Sequence, residues 1–346
     1  MRVGQAGAVA AEWVARYARD EAGYAGAYLA GSTTWLPEDA ELAPTSDVDV
    51  VVLTAGDPPG VKLGKFRYHG VLLEVTHLAR AEFTSADRVL GSFRLASSFR
   101  TDTVIDDPGG HLRLLQSRVA AGFAESAWVR RRCEDARCAI AGGLRALDAS
   151  AALQDRVLAW VFPTSVTTQV PLVAALRNPT VRLRYPAVRE VLAGYGHSAI
   201  YPYLLELLGC AGMTRRRVGY HLRQLSRTFD ATVPVARTPL FFSSDITTGA
   251  RTVAIDGSQA LVDRGDHREA VFWIVVTFAR CHQILSVDAP ALGDALAPAF
   301  EELVADLGVT GTEDLRRRSD QVLRFLPELW AAAEAIIAVN PGVRHR

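Results

Sequence analysis

Apolar and polar positions alternate with two different periods along this chain, and the change between them divides it. Ala27-Tyr28-Leu29-Ala30 is a short apolar run ending at Gly31, and Val48, Val50, Val51, Val52 and Leu53 form a β-branched run. Both read as strands, because valine-rich segments of this length suit a pleated, buried surface. Lys65-Phe66-Arg67-Tyr68 and Val71-Leu72-Leu73-Glu74-Val75-Thr76-His77-Leu78 are separated by His69-Gly70, which predicts a hairpin. Thr101 to Ile105 predicts a last strand, closed by Asp106-Asp107-Pro108-Gly109-Gly110. Before the first strand, Val9, Trp13, Val14, Tyr17 and Ala18 recur at helical spacing, so 6–22 reads as an amphipathic helix packing on the sheet. A further helix is expected near 80–90.

From His111 onward the period is helical. Runs at 111–124, 127–148, 181–194, 199–209, 214–229, 289–306 and 312–339 predict helices. Pro163 and Pro171 predict a broken helix over 151–178. Residues 230–263 interrupt the pattern, and a strongly apolar helix begins near Gly265. The expected class is α+β: a small mixed β-sheet with flanking helices over 1–110, then a large all-α domain over 111–346 forming the acceptor side of a cleft. Arg130-Arg131-Arg132, and Arg215 to Arg217 with His221, read as solvated helix faces.

Within the sheet region, polar residues stand where apolar ones are expected. Asp47 and Asp49 lie two apart in the valine run, and residues i and i+2 of a strand share a face. Glu74 stands in the middle of a later apolar strand, and an antiparallel neighbour could bring it beside the pair. Carboxylates clustered on a buried strand repel one another unless a cation lies between them. Hard cations such as Mg²⁺ take oxygen ligands and complete their shell with water and substrate phosphates. Gly31 permits a turn closed to other residues and a close approach of ligand to main chain, and Ser32 adds a hydroxyl and an amide.

Gly31-Ser32, Asp47-x-Asp49 and the strand-borne Glu74, in this order, resemble the nucleotidyltransferase superfamily related to DNA polymerase β, and within it the bacterial antibiotic nucleotidyltransferases that modify aminoglycosides and lincosamides. The resemblance covers roughly residues 25–105. It implies transfer of a nucleoside monophosphate from ATP or another nucleoside triphosphate to an acceptor hydroxyl, releasing pyrophosphate. It implies that Asp47, Asp49 and Glu74 hold two Mg²⁺ ions, with Glu74 completing the metal site or accepting the hydroxyl proton. Gly31 and Ser32 would bind the triphosphate, joined by Ser46 and Lys65.

Composition narrows the acceptor. In 346 residues the formal net charge is zero, which disfavours long nucleic acid and anionic membrane. A small antibiotic- or sugar-like molecule fits better. A protein side chain or tRNA end, as in toxin-like relatives, is the alternative. A nucleotide-binding regulator without catalysis is the third reading, disfavoured by the presence of all three acids. Lys62 and Lys65 are the only lysines. Coding bias is one reading of their scarcity; the other is that both sit on the stretch leading to Glu74, near bound phosphates, with coding bias preferred for Lys62 and both readings open for Lys65. The four cysteines form no C-x-x-C pair and read as structural thiols of a reducing compartment. Glu12 and Asp20 interrupt the N-terminal pattern, which fits neither a signal peptide nor a membrane span, so a cytoplasmic location is expected.

Two loops complete the candidates. Residues 33–45, with Pro37, Pro44 and three acids, read either as a mobile cover or as a solvated excursion. The polar, aromatic stretch around Phe241 to Asp256 leads into the head of the apolar helix. There Asp245, Asp256, His267, Arg268 and Glu269 are candidates for acceptor binding, or equally for caps and ion pairs.

Overall fold

The computed structural model describes residues 1–345, apart from the side chain of Ser32. Two compact units emerge. The first comprises Met1–Arg132, Pro239–Val253 and the chain end from Gly342; the second comprises Cys133–Thr238 and Ala254–Pro341. The expected division at residue 110 thus differs from the observed grouping, in which two more helical segments and a remote loop belong with the sheet.

The first unit is α+β. Its sheet has strands β1 (Tyr24–Ala30), β2 (Val48–Thr54), β3 (Gly64–Tyr68), β4 (Val71–Ala79) and β5 (Val104–Asp106), in the order β3-β4-β2-β1-β5. β2 is antiparallel to β1 and parallel to β4, while β3 pairs antiparallel with β4. The antiparallel neighbour expected to carry Glu74 is therefore corrected to a parallel one. The hairpin places β3 at the sheet edge and returns β4 alongside β2. The turn is the predicted His69-Gly70, both residues having positive φ, 44° and 80°, as the tightest hairpin turns require.

Alternation assigns the two faces of the sheet. Val48, Val50, Val52, Leu73 and Val75 pack with Ala6, Ala10, Trp13 and Val14 of α1 (Val3–Arg16). Val51 and Leu53 point the other way, into a core with Phe83, Phe99, and Leu112, Leu115 and Val119 of α3 (His111–Gly122). On the same side as α3 lies α2 (Ala86–Leu90), capped by the Ser85 hydroxyl, which accepts from the Arg88 amide. The 33–45 loop is no free cover. The amides of Val3, Gly4 and Leu42 donate to the carbonyls of Ala40, Glu38 and Met1, tying it to the start of the chain.

α4 (Ser126–Arg145) follows α3. Its Arg132 is buried rather than solvated, donating to the carbonyls of Leu90 and Phe123 at 3.1 and 2.6 Å. The second unit is helical. The proline-broken stretch gives α5 (Leu153–Val166) and α6 (Gln169–Ala174), followed by α7 (Arg184–Gly194), α8 (Ile200–Leu207) and α9 (Arg215–Thr232). α10 (Gly257–Asp263) falls where no helix was expected, and α11 (His267–Asp288), α12 (Pro290–Asp306) and α13 (Thr312–Val339) complete it. Leu153–Ala174 and His267–Asp288 are long and apolar enough to cross a membrane, but 78% and 72% of their most apolar windows are buried within the protein. They are core helices. His221 of α9, expected on a surface, is also buried, with Nε2 2.7 Å from the Asp306 carboxylate.

One buried group in this unit makes a pH prediction. His282 on α11 packs against Phe278 and Phe300, with ring centroids at 5.6 and 5.0 Å, and its Nε2 has no hydrogen-bond partner. Burial lowers its pKa from 6.5 to about 4. A depressed histidine pKa means that the unfolded chain takes up the proton first, so stability is lost as pH falls from 6.5 towards 4. Urea unfolding at pH 7 and pH 4.5 should show wild type losing about 2–3 kcal/mol more than His282→Phe. Parallel losses in the two proteins would show that His282 does not carry the acid sensitivity.

Candidate metal centre

The register of four strands builds the site. Lys65 pairs with Glu74, Glu74 with Asp49, and Asp49 with Ala30, forming one row across β3, β4, β2 and β1. Asp49 lies opposite in phase to Val48 and Val50, so it leaves the α1 face. Asp47, just before β2, falls on the same side two residues earlier. Carboxylate oxygens of Asp47, Asp49 and Glu74 consequently lie within 4.8 Å of one another, all three residues half-buried. The set is all oxygen and anionic, which suits a hard divalent cation such as Mg²⁺ or Mn²⁺.

β1 ends against this row. Gly31 has φ +70°, and a Cβ placed there would stand 1.8 Å from Asp49 Oδ2. The carboxylate occupies the space that any other side chain would need. The turn that follows is held by the hydroxyl of Thr34, which donates to the Gly31 carbonyl at 2.8 Å. The Ser32 backbone lies in this turn; the role expected for its hydroxyl falls outside the described residues. Ser46 is half-buried directly before Asp47.

The two lysines both reach the cluster. Lys65 Nζ lies 3.1 Å from Asp47 Oδ2 and 3.1 Å from Asp245 Oδ1, and it bonds Glu74 Oε2. Lys62 bonds the other Glu74 oxygen. The Lys65 side chain is only 5% exposed. Burial works against its charge, but Asp245, Asp47 and Asp49 outweigh that and hold its pKa above the ordinary value. For Asp49, burial and then repulsion by Asp47 raise the pKa from 3.8 to about 7, only partly offset by Lys65 and Lys62. Four carboxylates thus face two ammonium groups.

Asp245 enters from far along the chain. The segment Pro239–Val253 belongs to the first unit, and its Ser243–Asp245 turn lies beside β3. Gly64, at φ +72°, makes room for it: a Cβ there would stand 1.7 Å from Ser244 Oγ and 2.0 Å from Ser244 Cβ. Gly64→Ala should therefore release the segment, at a cost of about 1–3 kcal/mol. Limited proteolysis should then cut within 239–253 faster than in wild type, with a lower melting temperature. Unchanged cleavage and melting would mean that this packing does not hold the segment.

The remaining acceptor candidates lie in the second unit and have structural partners there. Glu269 is buried and takes hydrogen bonds from Arg189 at 2.7 Å and the Tyr201 hydroxyl at 2.5 Å. Each ring nitrogen of His267 lies 3.1 Å from a main-chain carbonyl, of Gly265 and of Met213. Arg268 donates to the Ala211 carbonyl at 3.2 Å. Asp256 is exposed at the end of a π-helical turn. Of the predicted acceptor residues, Asp245 alone joins the acid cluster. Lys62, for which coding bias is the preferred reading of the sequence, also reaches the cluster.

No protein-family model matches the chain, and no curated protein is similar to it at a significant level.

Proposed function

We propose that this protein is a metal-dependent nucleotidyltransferase, moving a nucleoside monophosphate from a nucleoside triphosphate to a hydroxyl of a small-molecule acceptor. One geometric fact carries the reading: three carboxylates, Asp47, Asp49 and Glu74, converge within 4.8 Å on one sheet face beside the Gly31 turn. Those three would hold one or two Mg²⁺ ions, which when bound supply positive charge to the phosphates and acidify the attacking hydroxyl. The acceptor oxygen forms its bond to the α-phosphorus as the bond to the bridging oxygen breaks. That electron pair leaves with pyrophosphate, and the hydroxyl proton departs to a carboxylate of the cluster.

Lys65 and Lys62, the only lysines of the chain, add ammonium charge at this place. Zero net charge favours a small acceptor over long nucleic acid. Free cysteines throughout accord with a reducing, cytoplasmic setting.

The test is incubation with Mg²⁺, each labelled nucleoside triphosphate and a panel of aminoglycosides, lincosamides and simple sugars, reading pyrophosphate and labelled product. Label on protein or tRNA instead would redirect the acceptor. Nucleotide binding without pyrophosphate release under any of these conditions would leave a non-catalytic regulator and sink the proposal.

A further inference from the structure

All but two of the 38 basic residues are arginines, and both lysines are at the acid cluster. The chemistry of the place explains the choice. A guanidinium is a rigid planar fork, whereas an ammonium is a compact point charge around which several carboxylates can gather closely. This holds for Lys65: its Nζ is bonded to Glu74, lies 3.1 Å from Asp47 and 3.1 Å from Asp245. Two of the three carboxylates of the cluster therefore already share a cation. Among the described residues Asp49 makes no direct ion pair or hydrogen bond, and the two lysines offset its charge only in part. Asp245 is outside the triad and comes from a separate segment, so it can keep the ammonium when Asp47 and Glu74 are taken by another ion.

We infer that Lys65 is a built-in competitor of the divalent ion, its ammonium holding the space between Asp47 and Glu74 until an entering ion displaces it onto Asp245. This rests on the reading of the triad as a metal site. It makes divalent-ion binding an exchange of cations rather than the filling of a bare acid cluster. The free protein then binds the ion weakly, although its carboxylates are already assembled. A triphosphate raises the affinity by offering the displaced ammonium new anionic partners, so that ion and nucleotide favour each other. Lys62, on the second oxygen of Glu74, acts in the same direction.

The experiment is a titration with Mn²⁺ alone, without nucleotide, followed by electron paramagnetic resonance of the free ion. Lys65→Met should bind Mn²⁺ about tenfold or more tightly than wild type, because a cation a few ångströms away is removed. Asp245→Asn should bind it at least about threefold more weakly than wild type, because the displaced ammonium loses its other carboxylate. Lys65→Met binding no tighter than wild type would overturn the inference while leaving the metal site standing. No binding by either protein at millimolar Mn²⁺ would remove the metal site and the inference together.

A measurement on the unaltered protein guards against a variant that does not fold. Three amines can be labelled: Lys62, Lys65 and the N-terminus. After brief acylation and peptide mapping, Mn²⁺ should increase labelling of Lys65 severalfold relative to the N-terminal amine. Labelling that is unchanged or reduced by Mn²⁺ would contradict displacement.

Discussion

Asp49→Asn should lower the proposed nucleotidyl transfer by about 10³-fold or more, equivalent to about 4 kcal/mol of transition-state stabilisation, while making the metal-free protein more stable. The two effects have one cause. Asp49 is half-buried beside Asp47, and four carboxylates at this place face two ammonium groups. Removing one negative charge relieves repulsion, and the melting temperature should rise by about 2–4 °C. The sign with pH follows from the raised pKa. Asp49 titrates near 3.8 in the unfolded chain and about 7 in the folded one. The folded state therefore holds the proton longer, and wild-type stability falls as pH rises between these values. The gap between variant and wild type should widen over that window, and calorimetry at pH 5 and pH 7 measures it. Added Mg²⁺ should narrow the gap at pH 7, because an ion bound by the folded state alone stabilises it. A variant less stable than wild type at pH 7 would assign Asp49 a structural role instead.

The second large effect is expected at Gly31. Gly31→Ala imposes φ +70° on a residue with a side chain and drives its Cβ into Asp49 Oδ2, at 1.8 Å. The first effect costs about 1 kcal/mol of stability. The second moves a carboxylate of the cluster, and a displacement of about 1 Å is enough for a loss near 10²-fold in turnover. Gly70→Ala separates the two, since Gly70 also has positive φ, +80°, but nothing stands near its added Cβ. It should show the modest loss of stability with full activity. Equal activities in the Gly31 and Gly70 variants would mean that the contact with Asp49 is catalytically irrelevant.

What the sequence discloses here follows the range of the contacts involved. β2 is legible because alternate valines and leucines bury both faces, and the two aspartates interrupt one phase only. The His69-Gly70 turn and the limits of α13 are likewise local. The parallel partnership of β2 with β4 is not, because the same two strands could pair either way and only the connection through β3 decides. Nor is the burial of Arg132 and His221, whose partners lie on other elements. Least legible is Asp245, which meets Lys65 across 180 residues of chain. A polar loop residue and a lysine in a strand carry no mark of each other. The attachment of the 33–45 loop to the first residues is invisible for the same reason: main-chain hydrogen bonds of this kind depend on no particular side chain.

The return of Pro239–Val253 to the first unit has a consequence for how the chain is made. A ribosome synthesising about 5–20 residues per second needs roughly 10–40 seconds after Lys65 to deliver Asp245. Through that interval β3 is a bare sheet edge, open to pairing with other chains, and Lys65 lacks one of its three carboxylates. The sheet unit therefore cannot reach its finished form before much of the helical unit has been translated. A fragment ending near residue 132 would stay permanently in that unfinished state.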